Sequence, residues 1–186
     1  DVRTLLNWLD KCRIPHQKDQ IVILLGDVGV NYFGDFRDQE AKVILQDSNR
    51  TYFCIHGNHE RRPESLATYH SDVWHGGAVY IEDEYSNLIF AQDGEVFDLE
   101  GLQTLVLGGA YSVDKWYRLQ SGYHWFEDEQ IPEQRRKSIL KKVKHLSKVD
   151  LVLSHTCPYQ WQPFDLFLSG IDQNSVDNST EHWLAE

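Results

Sequence analysis

The chain begins at Asp1 and contains no methionine, so Asp1 is not expected to be a native translation start. Cysteine is scarce too. Cys12, Cys54 and Cys157 make an odd count of 3, which offers no disulfide framework and points to a reducing, cytoplasmic setting. No apolar run is long enough to span a bilayer, and no stretch reads as a secretory leader. Positive charge is in deficit: 18 Lys and Arg face 29 Asp and Glu, a formal net charge of −11. That balance argues against a nucleic-acid polymer held by its phosphate backbone. It leaves small anionic ligands open, because bound divalent cations reverse the local charge. There is no internal repeat and no low-complexity tract. The 186 residues suit one domain able to bury a sizeable core.

What is present is organised around Thr51-Tyr52-Phe53-Cys54-Ile55-His56-Gly57-Asn58-His59-Glu60. Its first half is an apolar run rich in strand formers. Its second half turns polar at once. Gly-Asn alone would fit a hairpin turn, but a turn does not account for His59 and Glu60, and no alternating strand follows. Two other short apolar runs behave alike. Ile21–Leu25 ends in Gly26-Asp27, and Asp150–Ser154 ends in His155. All three runs read as strands covered on both faces. Each delivers a metal-capable side chain just past its carboxyl end: Asp27, Asn58 and His155. In open α/β sheets ligands bind at that edge. A capping Asp, a turn Asn or a surface His explains any one of them, but not three at equivalent places.

These blocks resemble the calcineurin-like metallophosphoesterases, whose pattern runs Asp-x-His, Gly-Asp, Gly-Asn-His-(Asp/Glu), a His, and Gly-His-x-His. Gly26-Asp27 matches the second block, Gly57-Asn58-His59-Glu60 the third and His155 the fourth, over roughly residues 1–160. No Asp-x-His block precedes Asp1 and no Gly-His-x-His follows Glu186. The expectation is therefore a single domain over residues 1–186, truncated at both termini. The resemblance implies an α/β fold, a two-layered β-sheet sandwich flanked by helices.

In chain order, apolar spacing predicts a helix over about residues 2–12, then a polar loop to Gln20. The loop Val30–Gly34 offers Asn31 and Tyr32 to a substrate. A helix is expected from Asp35, as N-cap, to Ser48; with its flanking strands it makes a parallel βαβ unit. Arg61 suits phosphate contact by its forked guanidinium, although paired arginines such as Arg61-Arg62 are commonly just solvated. Residues 64–78 read as irregular. Four short strands, 79–83, 88–92, 95–99 and 103–107, read as a meander forming a second sheet, with Asp93-Gly94 as a type I′ hairpin. The loop from Gly108 to Trp125 interleaves aromatics with cations. Tyr111, Lys115 and Arg118 are its candidates for stacking a base or gripping a phosphate, against the alternative of a packed Ω-type loop. A helix is expected from Pro132 to about Ser147. An aromatic segment, Tyr159–Ser169, reads as core or substrate wall, and a helix starts at Ser179-Thr180.

The resulting expectation is a metal-dependent phosphoesterase acting on a small phosphomonoester or phosphodiester. By the resemblance, two divalent ions (manganese, iron or zinc) and a metal-bound hydroxide do the chemistry. Asp27 bridges the ions, and Asn58 and His155 bind the second. His59 is the catalytic acid, with Glu60 available to orient it. The alternative is a non-catalytic phosphoesterase-like scaffold or binding protein. A protein Ser/Thr phosphatase is disfavoured, since that branch carries Gly-Asp-x-x-Asp-Arg-Gly where this chain has Gly26-Asp27-Val28-Gly29-Val30-Asn31.

Overall fold

The computed structural model describes residues 1–167 and 170–186. The end of the aromatic segment Tyr159–Ser169, residues 168 and 169, lies outside the described residues. Among these, the helices are α1 (Val2–Lys11), α2 (Phe36–Asp47), α3 (Lys115–Ser121), α4 (Glu133–Val143) and α5 (Ser179–Leu184). The strands are β1 (Ile21–Leu24), β2 (Thr51–Cys54), β3 (His70–Trp74), β4 (Gly77–Ile81), β5 (Leu88–Ala91), β6 (Val96–Leu99), β7 (Leu102–Leu107) and β8 (Leu151–Ser154). They form a five-stranded sheet in the order β1-β2-β5-β4-β3 and a three-stranded sheet in the order β6-β7-β8. No helix among the described residues is long and apolar enough to cross a membrane.

Period-two alternation explains the layers, since successive side chains of a strand face opposite ways. On β2, Tyr52 and Cys54 face the helices α1 and α2, while Phe53 and the following Ile55 face the second sheet. β5 splits likewise: Leu88 and Phe90 lie on the helix side, Ile89 and Ala91 between the sheets. On β7, Val106 points between the sheets, and Leu105 and Leu107 meet Ile139 of α4 and Trp183 of α5. The result is helix, sheet, sheet, helix, an α/β sandwich flanked by helices as expected.

The βαβ unit forms as read: β1 and β2 are parallel, with Ile21 opposite Thr51 and Leu24 opposite Cys54. Asp35 caps α2 by accepting from the Arg37 N–H at 2.9 Å. Four expectations are corrected. The meander is divided between the sheets: β4 and β5 join the first, with β5 parallel to β2, while β6 pairs with β7 and β7 with β8 in the second. Asp93-Gly94 is therefore not a hairpin but the corner where the chain changes sheet. Gly94 has φ +81°, whereas Asp93 is not left-handed. Its buried carboxylate instead accepts from the Gly108 N–H at 2.7 Å and pairs with Arg62 at 2.5 Å. Residues 70–74, read as irregular, are the outer strand β3. Finally, β1 and β8 are sheet edges rather than covered strands, which leaves Leu25 and Val152 about half exposed.

Candidate active site

The carboxyl ends of β1 and β2 in one sheet meet that of β8 in the other, and Asp27, Asn58 and His155 converge there. Close approach of the loops is what demands glycine. A Cβ on Gly57 would collide with the Asp27 backbone and carboxylate, and one on Gly26 would collide with the His155 ring. Asp27 sits at φ +52°, a left-handed conformation strained for a residue with a Cβ, though Asp tolerates it better than most. Its Oδ1 accepts from the His59 N–H at 2.9 Å and lies 3.8 Å from His155 Nε2. Its Oδ2 lies on the other side, 3.5 Å from His59 Nδ1.

His155 Nδ1 donates to the Leu25 carbonyl at 2.7 Å, so in the neutral ring Nε2 carries a lone pair. That nitrogen lies 2.7 Å from Asn58 Oδ1. The Asn58 amide is turned this way because its Nδ2 donates to Ser112 Oγ at 2.8 Å. Two acceptors therefore face one another beside a carboxylate, an arrangement a cation between them would relieve. Among the described residues no group of three or more His, Cys, Asp or Glu converges. The donor set is instead one carboxylate, one carboxamide oxygen and one imidazole, a mixed O and N set suited to manganese, iron or zinc. The ring tautomer is anchored by a backbone carbonyl, as metal-ligating imidazoles commonly are.

The sequence-predicted residues divide. Glu60 is fully buried, and its carboxylate accepts from the Gly57 N–H at 2.7 Å and the Val28 N–H at 3.2 Å. It ties the two loops together and does not orient His59. The His59 ring lies instead between Asp27, Asp114 and Arg118. Arg118 Nη2 donates to His59 Nδ1 at 3.1 Å, and Asp114 Oδ1 lies 3.4 Å from Nε2. Arg118 is thus at the site. Asn31 is not presented to it: the side chain is buried, with its amide paired to the Tyr69 hydroxyl at both ends. Arg61 lays its guanidinium over Gly34. Tyr111 points its hydroxyl to the Ser175 carbonyl at 3.4 Å. Lys115 stacks over Trp125, 3.8 Å from the ring centroid. Arg62 is buried and binds Asp93 and the Asp128 carbonyl, a purely architectural use.

Sequence reasoning did not single out Ser112 or Asp114. Both lie just past β7, another strand end on the same rim, and that position was the available signal. Beneath them the buried Glu129 accepts from the Ser112 N–H at 3.1 Å and the Trp125 Nε1–H at 2.9 Å, which fixes the loop. His56 is buried, and neither ring nitrogen has a partner. Burial first, then the Arg62 charge and then His155, hold its pKa well below the ordinary imidazole range.

Comparison with known proteins shows the family of the chain. The family model for calcineurin-like phosphoesterases matches residues 1–184. No curated protein and no solved structure matches the chain.

Proposed function

This chain belongs to the calcineurin-like phosphoesterase family, a family of metal-dependent phosphoesterases, and from that premise we propose that it hydrolyses small phosphomonoesters or phosphodiesters at a two-ion centre on the rim built by Asp27, Asn58 and His155. One observation carries the reading: His155 Nε2 and Asn58 Oδ1 face each other at 2.7 Å while His155 Nδ1 is committed to a carbonyl. Asp27 is suited to bridge, because its two oxygens look toward different neighbours, His155 and His59. Asn58 and His155 would hold the second ion. Such ions, when bound, polarise phosphoryl oxygens and acidify water.

The chain's own residues supply the rest. Ser112 keeps the Asn58 oxygen inward, and Leu25 keeps the His155 lone pair inward. His59, beside Asp27 but not among the three converging donors, serves the leaving group. Water adds to phosphorus and the ester P–O bond breaks. Its electron pair stays on the leaving oxygen, which takes a proton from His59, and solvent carries the water's proton back to the ring.

The test is metal analysis with kinetics on the full-length protein. His59→Gln should retain metal and lose about 10²–10⁴-fold in turnover, the usual worth of a general acid. The loss should shrink for nitrophenyl esters, whose leaving groups hardly need a proton. Asn58→Ala should weaken metal binding and be partly rescued by excess manganese. Metal loss in His59→Gln but not in Asn58→Ala would reverse the two roles. No turnover across a broad ester panel would favour a non-catalytic scaffold.

A further inference from the structure

His59 Nε2 is sealed from water yet makes no hydrogen bond. A buried imidazole nitrogen without a partner costs stability unless something satisfies it. The acidic oxygen within reach is Asp114 Oδ1, 3.4 Å away, just beyond bonding distance. Catalytic hydrogen bonds are often long before substrate binds and tighten afterwards. The other carboxylates near His59 do not reach Nε2. Glu60 holds two backbone N–H groups, and Asp27, one of the three converging donors, approaches the other ring nitrogen, its Oδ2 3.5 Å from Nδ1.

Asp114 does not stand alone. Its two oxygens accept from Arg118 Nε at 2.9 and 2.8 Å. Arg118 Nη1 donates to the Tyr32 hydroxyl at 3.2 Å and the His124 carbonyl at 3.3 Å. That leaves Nη2 on His59 Nδ1 at 3.1 Å. Because an arginine can only donate, Nδ1 must carry a lone pair here, and the ring proton sits on Nε2, facing Asp114. The guanidinium marks the spot beside Nδ1 that an anionic ester oxygen would take.

We propose that the segment opening α3 supplies two working residues to the site: Asp114 as the positioning carboxylate that anchors His59 through Nε2, and Arg118 as the cation that contacts the phosphoester beside Nδ1. The proposal rests on the hydrolytic reading of the preceding subsection. An imidazolium has two N–H groups, and one must be anchored before the other can be aimed. With Asp114 holding Nε2–H, Nδ1–H points at the leaving oxygen, and the Asp114 charge stabilises the protonated ring, as the buried Asp does in a Ser-His-Asp triad. Arg118, displaced from Nδ1 by the substrate, keeps its tether to Asp114 and turns its fork to the phosphoryl oxygens.

Two measurements test this. In manganese-loaded full-length protein, Asp114→Ala should lower kcat for an alkyl phosphate ester at least about 10–100-fold, the scale on which removing the partner that orients a metal-bound histidine acts. KM should hardly move, and the loss should be smaller for a nitrophenyl ester. Asp114→Glu, which restores the carboxylate, should recover part of it. Arg118→Ala should instead act mainly on KM, with Arg118→Lys intermediate. Second, in the metal-free protein, nitrogen NMR of His59 should find the neutral ring protonated at Nε2. Asp114→Ala should mix the two tautomers. The Asp114 side chain caps no helix N–H, so this variant is expected to fold, and a thermal melt checks that.

The outcome that overturns the proposal is an Asp114→Ala protein with unchanged kcat and unchanged tautomer while His59→Gln is still inactive. Absence of turnover in the wild-type protein across the ester panel would instead sink the hydrolytic reading beneath it, so the two failures are distinguishable.

Discussion

Burial lifts the Glu60 pKa from its ordinary 4.5 to about 7, with hydrogen bonds from Gly57 and Val28 opposing and the Asp27 charge assisting. A carboxyl raised in the folded state holds more protons there than in the unfolded chain. Its contribution to stability is therefore full below about pH 4.5 and is lost as pH rises toward 7. Glu60→Gln does not titrate. The difference in unfolding free energy between wild type and Glu60→Gln, measured in chelator across that window, should fall with rising pH. A flat or rising difference would refute the assignment. At this scale the convergence of Asp27, Asn58 and His155 was legible because each stands within a few residues of the end of an apolar run. The role of Glu60 was not, because adjacency to His59 in sequence says nothing about which way a side chain turns once a loop leaves the strand. Asp114 and Ser112 were hidden for the converse reason: they lie 54 or more residues from their partners Asn58 and His59, and only the packing of two sheets brings them near.

Single elements were read correctly where one local cause dominates, and misread where tertiary pairing decides. The α2 start is of the first kind. Asp35 is the N-cap, as spacing suggested, but Asp38 does more. It is buried in the first turn and accepts from the Tyr32, Phe33 and Gly34 N–H groups at 3.2, 3.1 and 2.6 Å. That clamps the loop whose Tyr32 hydroxyl reaches Arg118. Asp38→Asn keeps the size but puts a donor against a donor, and should cost about 1–3 kcal/mol for a stranded buried N–H. Asp35→Asn should cost less than about 1 kcal/mol, because Asn caps as well as Asp and only an exposed pairing with Arg37 is lost. Denaturant unfolding of both variants checks the order, and equal losses would show that Asp38 does not clamp the loop. Asp93-Gly94 is of the second kind. Its dipeptide suits a hairpin, yet the flanking strands belong to different sheets, and the buried contacts of Asp93 with Gly108 and Arg62 override the local preference.

For the whole molecule, the decisive fact is that the converging donors are divided between the two sheets. Asp27 and Asn58 follow strands of the first and His155 follows a strand of the second. Nothing covalent near the site joins them, so the 2.7 Å approach of His155 to Asn58 depends on how the sheets pack. That packing rests on Phe53, Ile89, Phe97 and Val106. Phe97 is fully buried, and its ring meets Phe53 edge-on at a centroid distance of 4.8 Å. Leu45 is equally buried, but it packs in the layer between α2 and the first sheet, away from the second. Phe97→Ala and Leu45→Ala should each destabilise by about 2–5 kcal/mol through lost burial and residual cavity. Their effects on the site should differ. A cavity between the sheets loosens the second against the first and spreads the donors, so Phe97→Ala should weaken manganese binding in the folded protein. A cavity under α2 leaves both strand ends in register, so Leu45→Ala should bind as wild type does. Calorimetric titration at a temperature where both variants are folded makes the comparison. Equal weakening in both would mean that general softening, rather than the seam between the sheets, governs the alignment of the site.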